Sequence, residues 1–511
     1  MNLATRRDVL STMLSASIGA VFTAAKYPER EAEVSKPSRE EQHDFQSVRT
    51  QILQAIAHGA ATGVAVAVTH GRRIIWEEGF GWANREAGLK ATSRTAFSLA
   101  SITKPLTATT LLTLVAQGIL SLDDPVNSHL SNSPIEGTNG SANDVTVRLL
   151  GAHASGLPVM FEEYFPDEAE LALTPDALLR EYGRLAYPPG CCYEYSNIGF
   201  AALGALASNL TGADFGTLVT QRVLAPLELH DSFFGTNVSR LPTSAARYDP
   251  LGNQIPYYTT STPASGELYA SAHDLARFAM FNMKIHLKDQ SRILDDRWID
   301  ELHKPVYVGP SGVATTFGWF SGQLKSGVLV IFKNGGQPGV ATIMYMIPLE
   351  ELACIVLTNR SDGRELAYRV CNHVLASYLP EWHQPEETSG PSPSPFVATS
   401  SFGGRWQGTL TGGGAETQVK LNIESSDSAF LTLGDKRAQK ITGMQWEGAA
   451  FTGTSAGLIE SRDAIRTGAR TLKIKLIPHG DRLVGRALAT AGDPNFKNVM
   501  LPYVLSFNRI G

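Results

Sequence analysis

A serine and a lysine three residues apart are the side chains of this sequence best suited to nucleophilic chemistry. Ser101 and Lys104 stand in the segment 97–105, directly before the apolar run 106–120. Residues three apart on a helix share a face, so the amine of Lys104 can lie beside the hydroxyl of Ser101. A serine hydroxyl is a weak nucleophile until a neighbouring base accepts its proton. The pair predicts a serine nucleophile with a lysine partner, although so short a motif also occurs by chance.

A second motif combines a tyrosine and an asparagine two residues apart. Tyr195 and Asn197 end the Pro-Gly-containing segment 187–197, which leads into the apolar helix predicted at 198–206. A loop just before a helix can point such side chains into a cleft. A tyrosine hydroxyl, with an ordinary pKa of about 10, becomes a usable base only where positive charge stabilises the phenolate. Lysines can supply that charge.

A third motif lies at the edge of a predicted strand and carries a second lysine. Lys333 is followed by Asn334, Gly335 and Gly336. A glycine has no side chain, so a substrate backbone can lie against the strand at that point. The segment therefore predicts a binding edge with one amine beside it.

The order of these three motifs resembles that of the serine β-lactamase, penicillin-binding protein and esterase superfamily, broadly peptidase family S12. The branch with a tyrosine in the second motif is the most similar. Shorter matches lie at 120–125, 149–158 and 263–271, and the resemblance covers about 45–380. The resemblance implies that Ser101 is acylated during turnover.

The resemblance also implies roles for the other residues of the first two motifs. Tyr195 and Lys104 would form the general-base pair. Asn197 would contact either the substrate amide or Lys104. The backbone amides of Ser101 and Gly336 would form the oxyanion hole, where the loss of one donor typically costs ~3 kcal/mol of barrier.

The third motif differs from the family pattern at two positions. Asn334 stands where β-lactamases usually have Thr or Ser, and many esterase-like relatives carry His where Lys333 stands. By resemblance, Lys333 lends positive charge either to Tyr195 or to a substrate carboxylate, with Asn334 and Gly335 beside the substrate. Retention of this lysine favours a substrate with a carboxylate, and hence a peptide.

The coarse pattern of elements predicts an α+β fold. A helix is expected at 45–58, a β-hairpin at 63–80, a β-rich cluster at 328–357 and a helix at 365–378. Short connections imply antiparallel neighbours. We therefore expect one antiparallel sheet, flanked by helices, with a mostly helical insert at about 98–320.

The remaining chain predicts a second domain. The length of 511 residues exceeds that of one ordinary domain. A Pro/Ser-rich linker is expected at 381–400. Six to eight short strands with Gly-rich turns follow at 401–511, which predicts an all-β barrel that resembles the lipocalin-like domain of some family members.

The first 25 residues resemble a twin-arginine export signal. Arg6 and Arg7 precede a mildly apolar stretch at 9–25 that ends in small residues. No other stretch reaches the ~18 apolar residues that a membrane span needs. We therefore expect a periplasmic or secreted protein with no stable membrane span after signal removal.

Composition narrows the possible partners. The formal net charge is -5, with no basic stripe, so nucleic acid is an unfavoured partner.

Several other polar residues have an ordinary structural role as the favoured reading. The adjacent Cys191 and Cys192 cannot bridge without strain, and a packing role is favoured over a redox role. For His153 a loop hydrogen-bonding role is favoured over a catalytic one. For Glu162 and Glu163, with Tyr164, a solvated loop is favoured over a place at the entrance for the substrate.

Together these observations predict a serine hydrolase that works through an acyl-enzyme on Ser101. The preferred function is a peptidase or amidase acting on short linear or D-amino-acid-containing peptides. A carboxylesterase and a β-lactamase remain as alternatives, and so does a non-catalytic penicillin-binding sensor. The expected partner is a small peptide, amide or ester, with no cofactor and no metal, and the oligomeric state is left open.

Overall fold

Strands from both ends of the segment 45–380 form one antiparallel sheet. The computed structural model describes residues 45–385, 393–399, 402–493 and 495–510. The export signal expected at 1–25 lies outside the described residues. Within the described part, no helix is long and apolar enough to cross a membrane.

The helices are numbered here in chain order. They are α1 Gln46–Ala57, α2 Thr103–Ala116, α3 Val147–Gly151, α4 Pro175–Tyr182, α5 Asn197–Thr211, α6 Phe215–Val219, α7 Pro263–Gly266, α8 Ala272–Asn282, α9 Asp296–His303, α10 Arg364–Tyr378 and α11 Arg462–Thr467.

The strands are numbered in the same way. Those before residue 380 are β1 Gly63–His70, β2 Arg73–Asn84, β3 Leu89–Lys90, β4 Phe97–Ser98, β5 Phe161–Tyr164, β6 Phe233–Phe234, β7 Arg247–Tyr248, β8 Gln254–Ile255, β9 Thr259–Thr260, β10 Leu268–Ala270, β11 Tyr307–Val308, β12 Ala314–Thr315, β13 Phe320–Gln323, β14 Leu329–Gln337, β15 Val340–Ile347 and β16 Leu352–Thr358. Those after it are β17 Pro393–Pro395, β18 Gly404–Gly412, β19 Ala415–Ile423, β20 Ala429–Leu433, β21 Gln439–Lys440, β22 Thr442–Glu447, β23 Ala450–Ala456, β24 Thr471–His479, β25 Arg482–Ala491 and β26 Val499–Ile510.

The main sheet has the order β11-β12-β13-β14-β15-β16-β1-β2-β3. Strand β1 pairs with β2 through the expected hairpin and with β16 from the far end of the segment. Its centre is buried on both faces, which explains why it reads as a continuous apolar run. Val64 and Val66 pack in one core with α1 and α10, whereas Ala65 and Ala67 face the other core under the insert. The predicted α+β arrangement is confirmed.

Residues 98–320 supply most of the helices, as expected. Helix α2 is buried along nearly its whole length, and α5 is buried over its first eleven residues. Both helices therefore lie inside the domain, and small or apolar residues predominate in both sequences, together with several threonines in α2. Ser271 caps α8 by accepting a hydrogen bond from the Asp274 amide at 3.0 Å, as the sequence pattern predicts.

The C-terminal strands form a curled β half-barrel. Its strand order is β17-β22-β23-β24-β25-β26-β18-β19-β20-β21. The expected all-β region is thus present, but with more strands than the six to eight predicted, because short strands such as β17 and β21 carry no alternation. Within the described residues, β17 and β21 are the two ends of this order, so the sheet is curled rather than closed. The likeness to a lipocalin stays a prediction.

The half-barrel packs directly on the domain that carries the motifs. Tyr187 and Cys192 share a small apolar cluster with Val504 of β26. The amide of Asn139 donates to the Leu505 carbonyl at 2.8 Å. Residues from Phe45 onward form one compact unit as a result.

Candidate active site

Ser101 lies in a tight turn at the start of the buried helix α2. The turn covers Ala100–Ile102, and α2 begins at Thr103. Ala100 has a φ of 47°, in the left-handed region that residues with a Cβ rarely adopt. Such strain persists only where the surroundings enforce it, and it is common at functional sites. Here the amides of Leu99 and Leu268 fix the turn by hydrogen bonds that cross between the two segments.

Lys104 is buried directly beneath Ser101. Its Nζ lies 3.1 Å from Ser101 Oγ, and it donates to Asn197 Oδ1 at 2.8 Å and to the Ser265 carbonyl at 3.0 Å. Burial, and then the charge of Lys333, lowers the pKa of Lys104 well below its usual range. A neutral amine has two N–H groups and one lone pair. When Lys104 is neutral, the two carbonyl oxygens can accept its N–H groups, which leaves the lone pair for the hydroxyl of Ser101.

Tyr195 approaches Ser101 from the other side. Its hydroxyl lies 2.6 Å from Ser101 Oγ. The amines of Lys104 and Lys333 lie 4.9 Å and 5.5 Å from the centre of its ring. Of the two amines, that of Lys333 can therefore supply the positive charge that a tyrosine base requires.

The segment 193–197 is fixed by hydrogen bonds around His153. The Ser196 amide donates to His153 Nδ1 at 3.1 Å, and the His153 ring packs on that of Tyr195 with centres 4.3 Å apart. Burial, followed by the charges of Lys333 and Lys104, lowers the pKa of His153 well below its usual range, so its ring accepts in the neutral form. The favoured loop hydrogen-bonding role of His153 agrees with this geometry.

Ser196 and Asn197 anchor the same segment to its neighbours. Ser196 Oγ caps α5 by accepting from the Gly199 amide at 2.9 Å. Asn197 Nδ2 donates to the Met160 carbonyl at 2.8 Å, while its Oδ1 accepts from Lys104. Of the two roles that the resemblance implied for Asn197, contact with Lys104 is the one present in the structure.

The third motif lies on the half of β14 that faces the cleft. Strand β13 pairs only with 329–332, so 333–337 have β15 on one side and the cleft on the other. A Cβ on Gly335 would lie 2.1 Å from the Leu99 carbonyl oxygen, so only glycine allows this approach. The approach brings the strand beside the turn that carries Ser101.

The side chains of Lys333 and Asn334 are directed into the protein, although the sequence predicted a binding edge at this strand. Lys333 is buried, and its amine lies 4.1 Å from the centre of the Phe320 ring. Asn334 Nδ2 donates to the Tyr368 hydroxyl of α10 at 3.0 Å. Both residues therefore border the site, and their contact with substrate stays a prediction.

Arg364 also lines the cleft, although no sequence motif indicated it. A cleft of about 180 Å³ is lined by Ser101, Phe161, Tyr193, Tyr195, Phe320, Asn334, Gly336 and Arg364. Arg364 is exposed at the start of α10, and its Nη2 lies 2.5 Å from where a Cβ on Gly336 would be. Thus Gly336 leaves room for this guanidinium. Sequence reasoning missed Arg364, because an exposed arginine in the first turn of a helix is ordinary in sequence.

The opposite wall of the cleft is a short strand with two buried carboxyl groups. Glu162 and Glu163 of β5 line a narrow cavity beside Ser101. Both residues are almost fully buried, so the expected solvated loop is wrong. Burial raises the pKa of Glu162, which pairs with Arg466, and raises that of Glu163 to about 8. Four residues between loops gave no periodic signal from which to predict this strand.

Strand β5 is held in place by the half-barrel. It pairs with β26 at Val499 and Met500 on one side and with β9 on the other. The Asn498 amide donates to Glu163 at 2.7 Å. The C-terminal half-barrel therefore supports one wall of the site that contains Ser101.

The fold and this constellation define a member of the serine β-lactamase and penicillin-binding protein superfamily. The Beta-lactamase family model matches residues 48–372, and the chain belongs to this family of serine hydrolases. Protein flp of Staphylococcus aureus (strain MRSA252) is 24% identical over 325 residues, which cover 61% of this chain and 62% of that protein. The chain thus spans less than two thirds of the length of that relative. Penicillin-binding protein 4* of Bacillus subtilis (strain 168) is 24% identical over 344 residues, 61% of this chain and 71% of that protein.

Solved structures share the fold over different lengths of the chain. SurE matches 89% of this chain and 98% of its own, with a TM-score of 0.63 and 20% identity. An octameric penicillin-binding protein homologue from Pyrococcus abyssi matches 91% of this chain and 100% of its own, with a TM-score of 0.57 and 20% identity. A D-stereospecific amidohydrolase from Streptomyces sp. matches 64% and 98%, with a TM-score of 0.53 and 23% identity. The first two likenesses extend beyond the segment that the family model matches.

Proposed function

We propose that this protein is a serine amidohydrolase or peptidase that cleaves short peptides bearing a free carboxylate, through an acyl-enzyme on Ser101. The observation that carries the proposal is the arrangement around Ser101 Oγ. The amine of Lys104 lies 3.1 Å from it and the hydroxyl of Tyr195 lies 2.6 Å from it. A protein that only binds its ligand has no need of two bases in contact with one serine.

The proposed reaction begins when Ser101 attacks the carbonyl carbon of the scissile amide. Its proton passes to the pair formed by Tyr195 and Lys104, and the carbonyl oxygen becomes an oxyanion held by the amides of Ser101 and Gly336. The pair then protonates the leaving amine as the C–N bond breaks, which leaves the acyl-enzyme. Water, deprotonated by the same pair, attacks the ester and releases the acid and the free serine.

Arg364 is the proposed partner of the substrate carboxylate. It is exposed at the cleft that contains Ser101, whereas Lys333 is buried beside the Tyr195 ring. Guanidinium groups pair with carboxylates through two parallel hydrogen bonds. Of the two roles left open for Lys333, charge stabilisation of the Tyr195 base is the one that we propose.

The similar structures support a peptide with D-residues as the substrate class. One of them is described as a D-stereospecific amidohydrolase, and SurE has also been solved with D-Leu. These descriptions refer to those proteins. For this chain they favour D-amino-acid-containing peptides as the first substrates to test.

The deciding experiment compares three substrates that share one acyl group. They are a short peptide with a free C-terminal carboxylate, the same peptide as its C-terminal amide, and a p-nitrophenyl ester. We expect the free acid to have the lowest KM. Arg364→Ala should raise KM about tenfold for the free acid only, because a charge-assisted contact is worth roughly 1.5–3 kcal/mol.

Lys333→Ala is the control for Arg364→Ala, because it removes the other cation of the site, which is buried beside Tyr195. It should lower kcat on all three substrates, because the base acts on each of them. An Arg364→Ala effect that is equal on the acid and the amide would contradict the carboxylate assignment. Fast turnover of the ester with none of either peptide would favour a carboxylesterase, and turnover of a cephalosporin alone would favour a β-lactamase.

A further inference from the structure

Two adjacent cysteines lie on the loop that leads to the proposed base. Cys191 and Cys192 follow Gly190, which has a φ of 77°, and precede Tyr193. Their sulfur atoms are 3.2 Å apart. Cys191 is exposed, whereas Cys192 is partly buried.

The loop connects the half-barrel with the cleft. Cys192 packs with Tyr187, Val504 and Ile477, where the half-barrel meets the domain that carries Ser101. Tyr193, the next residue, lines the cleft together with Ser101. A change of backbone at 191–192 must therefore move either the contact with the half-barrel or the side chain of Tyr193.

Tyr193 itself rests on two aromatic neighbours. Its ring stacks on that of Tyr307 with centres 6.5 Å apart, and it meets the His153 ring edge-on at 6.1 Å. His153 in turn packs on Tyr195 and accepts from the Ser196 amide. A displaced Tyr193 thus disturbs the contacts that position the Tyr195 hydroxyl at Ser101.

We propose that Cys191 and Cys192 form a reversible redox modification site, oxidised by a small-molecule disulfide to a disulfide between adjacent residues that slows acylation of Ser101. The inference rests on the proposed function, because its effect is read at Ser101. The sequence favoured a packing role for both cysteines. The structure places the thiols in contact, with one of them open to solvent.

The chemistry requires no other reactant. The Cys191 thiolate attacks one sulfur of the small disulfide, which forms a mixed disulfide and releases one thiolate. The Cys192 thiolate then attacks the Cys191 sulfur and releases the second. Two protein thiols and one disulfide become one protein disulfide and two small thiols, with the two protons transferred to the leaving thiolates. The hydrogen bond between the two thiols lowers the pKa of Cys191, which favours it as the attacking thiol.

Geometry predicts that this disulfide alters the loop and is easily reduced. Adjacent Cα atoms are about 3.8 Å apart across a trans peptide. Unstrained disulfides usually join Cα atoms about 4.4–6.8 Å apart. Closing the ring therefore moves the backbone and strains the bond, and strained, exposed disulfides are the labile ones.

The test treats the full chain with oxidised glutathione and follows two readouts. Peptide mapping by mass spectrometry should find the peptide with 191–192 lighter by two hydrogen atoms. Labelling of Ser101 by a fluorophosphonate should slow about tenfold, since small displacements in an active site are costly. Dithiothreitol should restore both readouts. Cys354 and Cys371 are buried and serve as internal controls that keep their thiols.

The matched control is the double variant Cys191→Ser and Cys192→Ser. In this variant the fluorophosphonate should label Ser101 at the rate seen in the reduced wild type, both before and after treatment with oxidised glutathione. The inference is overturned if the wild type keeps both thiols, if it stops at the mixed disulfide, or if the oxidised chain labels at full rate. Absence of Ser101 labelling in the reduced protein would instead overturn the proposed function, so the two failures are distinguishable.

Discussion

The two walls of the cleft bury ionisable groups of opposite type. On one wall, Lys104 and His153 have pKa values well below their usual ranges. On the other, burial raises the pKa of Glu162 and raises that of Glu163 to about 8. The dominant cause is the same, because burial disfavours the charged form of any group. Both walls are thereby driven toward neutrality.

The two walls differ in what these buried groups contact. The Lys104 amine lies 3.1 Å from Ser101 Oγ, so Lys104 is in direct contact with the reacting hydroxyl. Glu162 pairs with Arg466, and Glu163 accepts from the Asn498 amide, both contributed by the half-barrel. A shifted pKa therefore does not by itself identify a catalytic residue. Contact with Ser101 distinguishes the two walls. We call the wall with Lys104 the base wall and the wall with Glu162 and Glu163 the acid wall.

The largest expected effect is on the nucleophile itself. Ser101→Ala should abolish turnover and fluorophosphonate labelling, because no other hydroxyl takes its place. The fold should persist, since the change removes one oxygen and alanine favours helices. Thermal melting supplies the control. A variant that keeps more than a small fraction of activity would contradict the assignment, and so would an adduct on another serine.

The next effect concerns the base wall. Tyr195→Phe should lower kcat by ~10²–10⁴-fold with little change in stability, as expected for the loss of a general base. The ring, its packing on His153 and its place beside two amines are all retained in phenylalanine. Steady-state kinetics with the p-nitrophenyl ester measure the loss. An unimpaired kcat would mean that Lys104 acts on Ser101 alone.

The same wall determines the pH dependence of activity. Since the pKa of Lys104 is lowered, the amine is protonated only at pH values well below the usual lysine range. Activity should therefore rise with pH along a limb in that lowered range, where the Tyr195 and Lys104 pair loses a proton as one coupled system. The pH profile of kcat/KM reports it. If Tyr195→Phe left the limb unmoved, Tyr195 would not belong to the titrating pair.

A smaller effect on turnover is expected at the acid wall. Arg466→Ala leaves the carboxyl of Glu162 without its ion-pair partner, and breaking a buried pair typically destabilises by about 3–5 kcal/mol. KM should rise more than kcat falls, because β5 lines the cleft without touching Ser101. Adding Glu162→Gln should recover much of the stability. Equal stability of wild type and Arg466→Ala would show that the pair does not hold β5.

The smallest effect on turnover is expected from Glu163→Gln. This variant should instead alter how the free energy of unfolding depends on pH. The pKa of Glu163 rises from an ordinary 4.5 to about 8 on folding, so the folded state binds this proton more tightly. Its contribution is fully present below about pH 4.5 and is lost as pH rises through 8. Denaturant unfolding across this window should give a flatter profile for the variant. Identical slopes would mean that Glu163 ionises normally.

Much of this protein follows from sequence because its signals are local. The spacing of Ser101 and Lys104, and of Tyr195 and Asn197, is enough to identify four side chains that meet in one hydrogen-bonded group. The apolar runs of β1, β15 and β16 indicated buried strands, and short connections between them required antiparallel pairing. The family and the α+β fold were therefore predictable, and both are confirmed.

Only the tertiary structure determined how deeply each charged side chain is buried and which strand forms the second wall of the cleft. The sequence placed Lys333 in the third motif but did not show that it is buried, and it did not show that Arg364, at the start of another element, is exposed at the same cleft. Strand β5 spans only four residues, and its partner β26 lies more than 300 residues away, so no periodicity connects them. Burial depends on such long-range contacts, and burial determines which groups are neutral and able to act as bases.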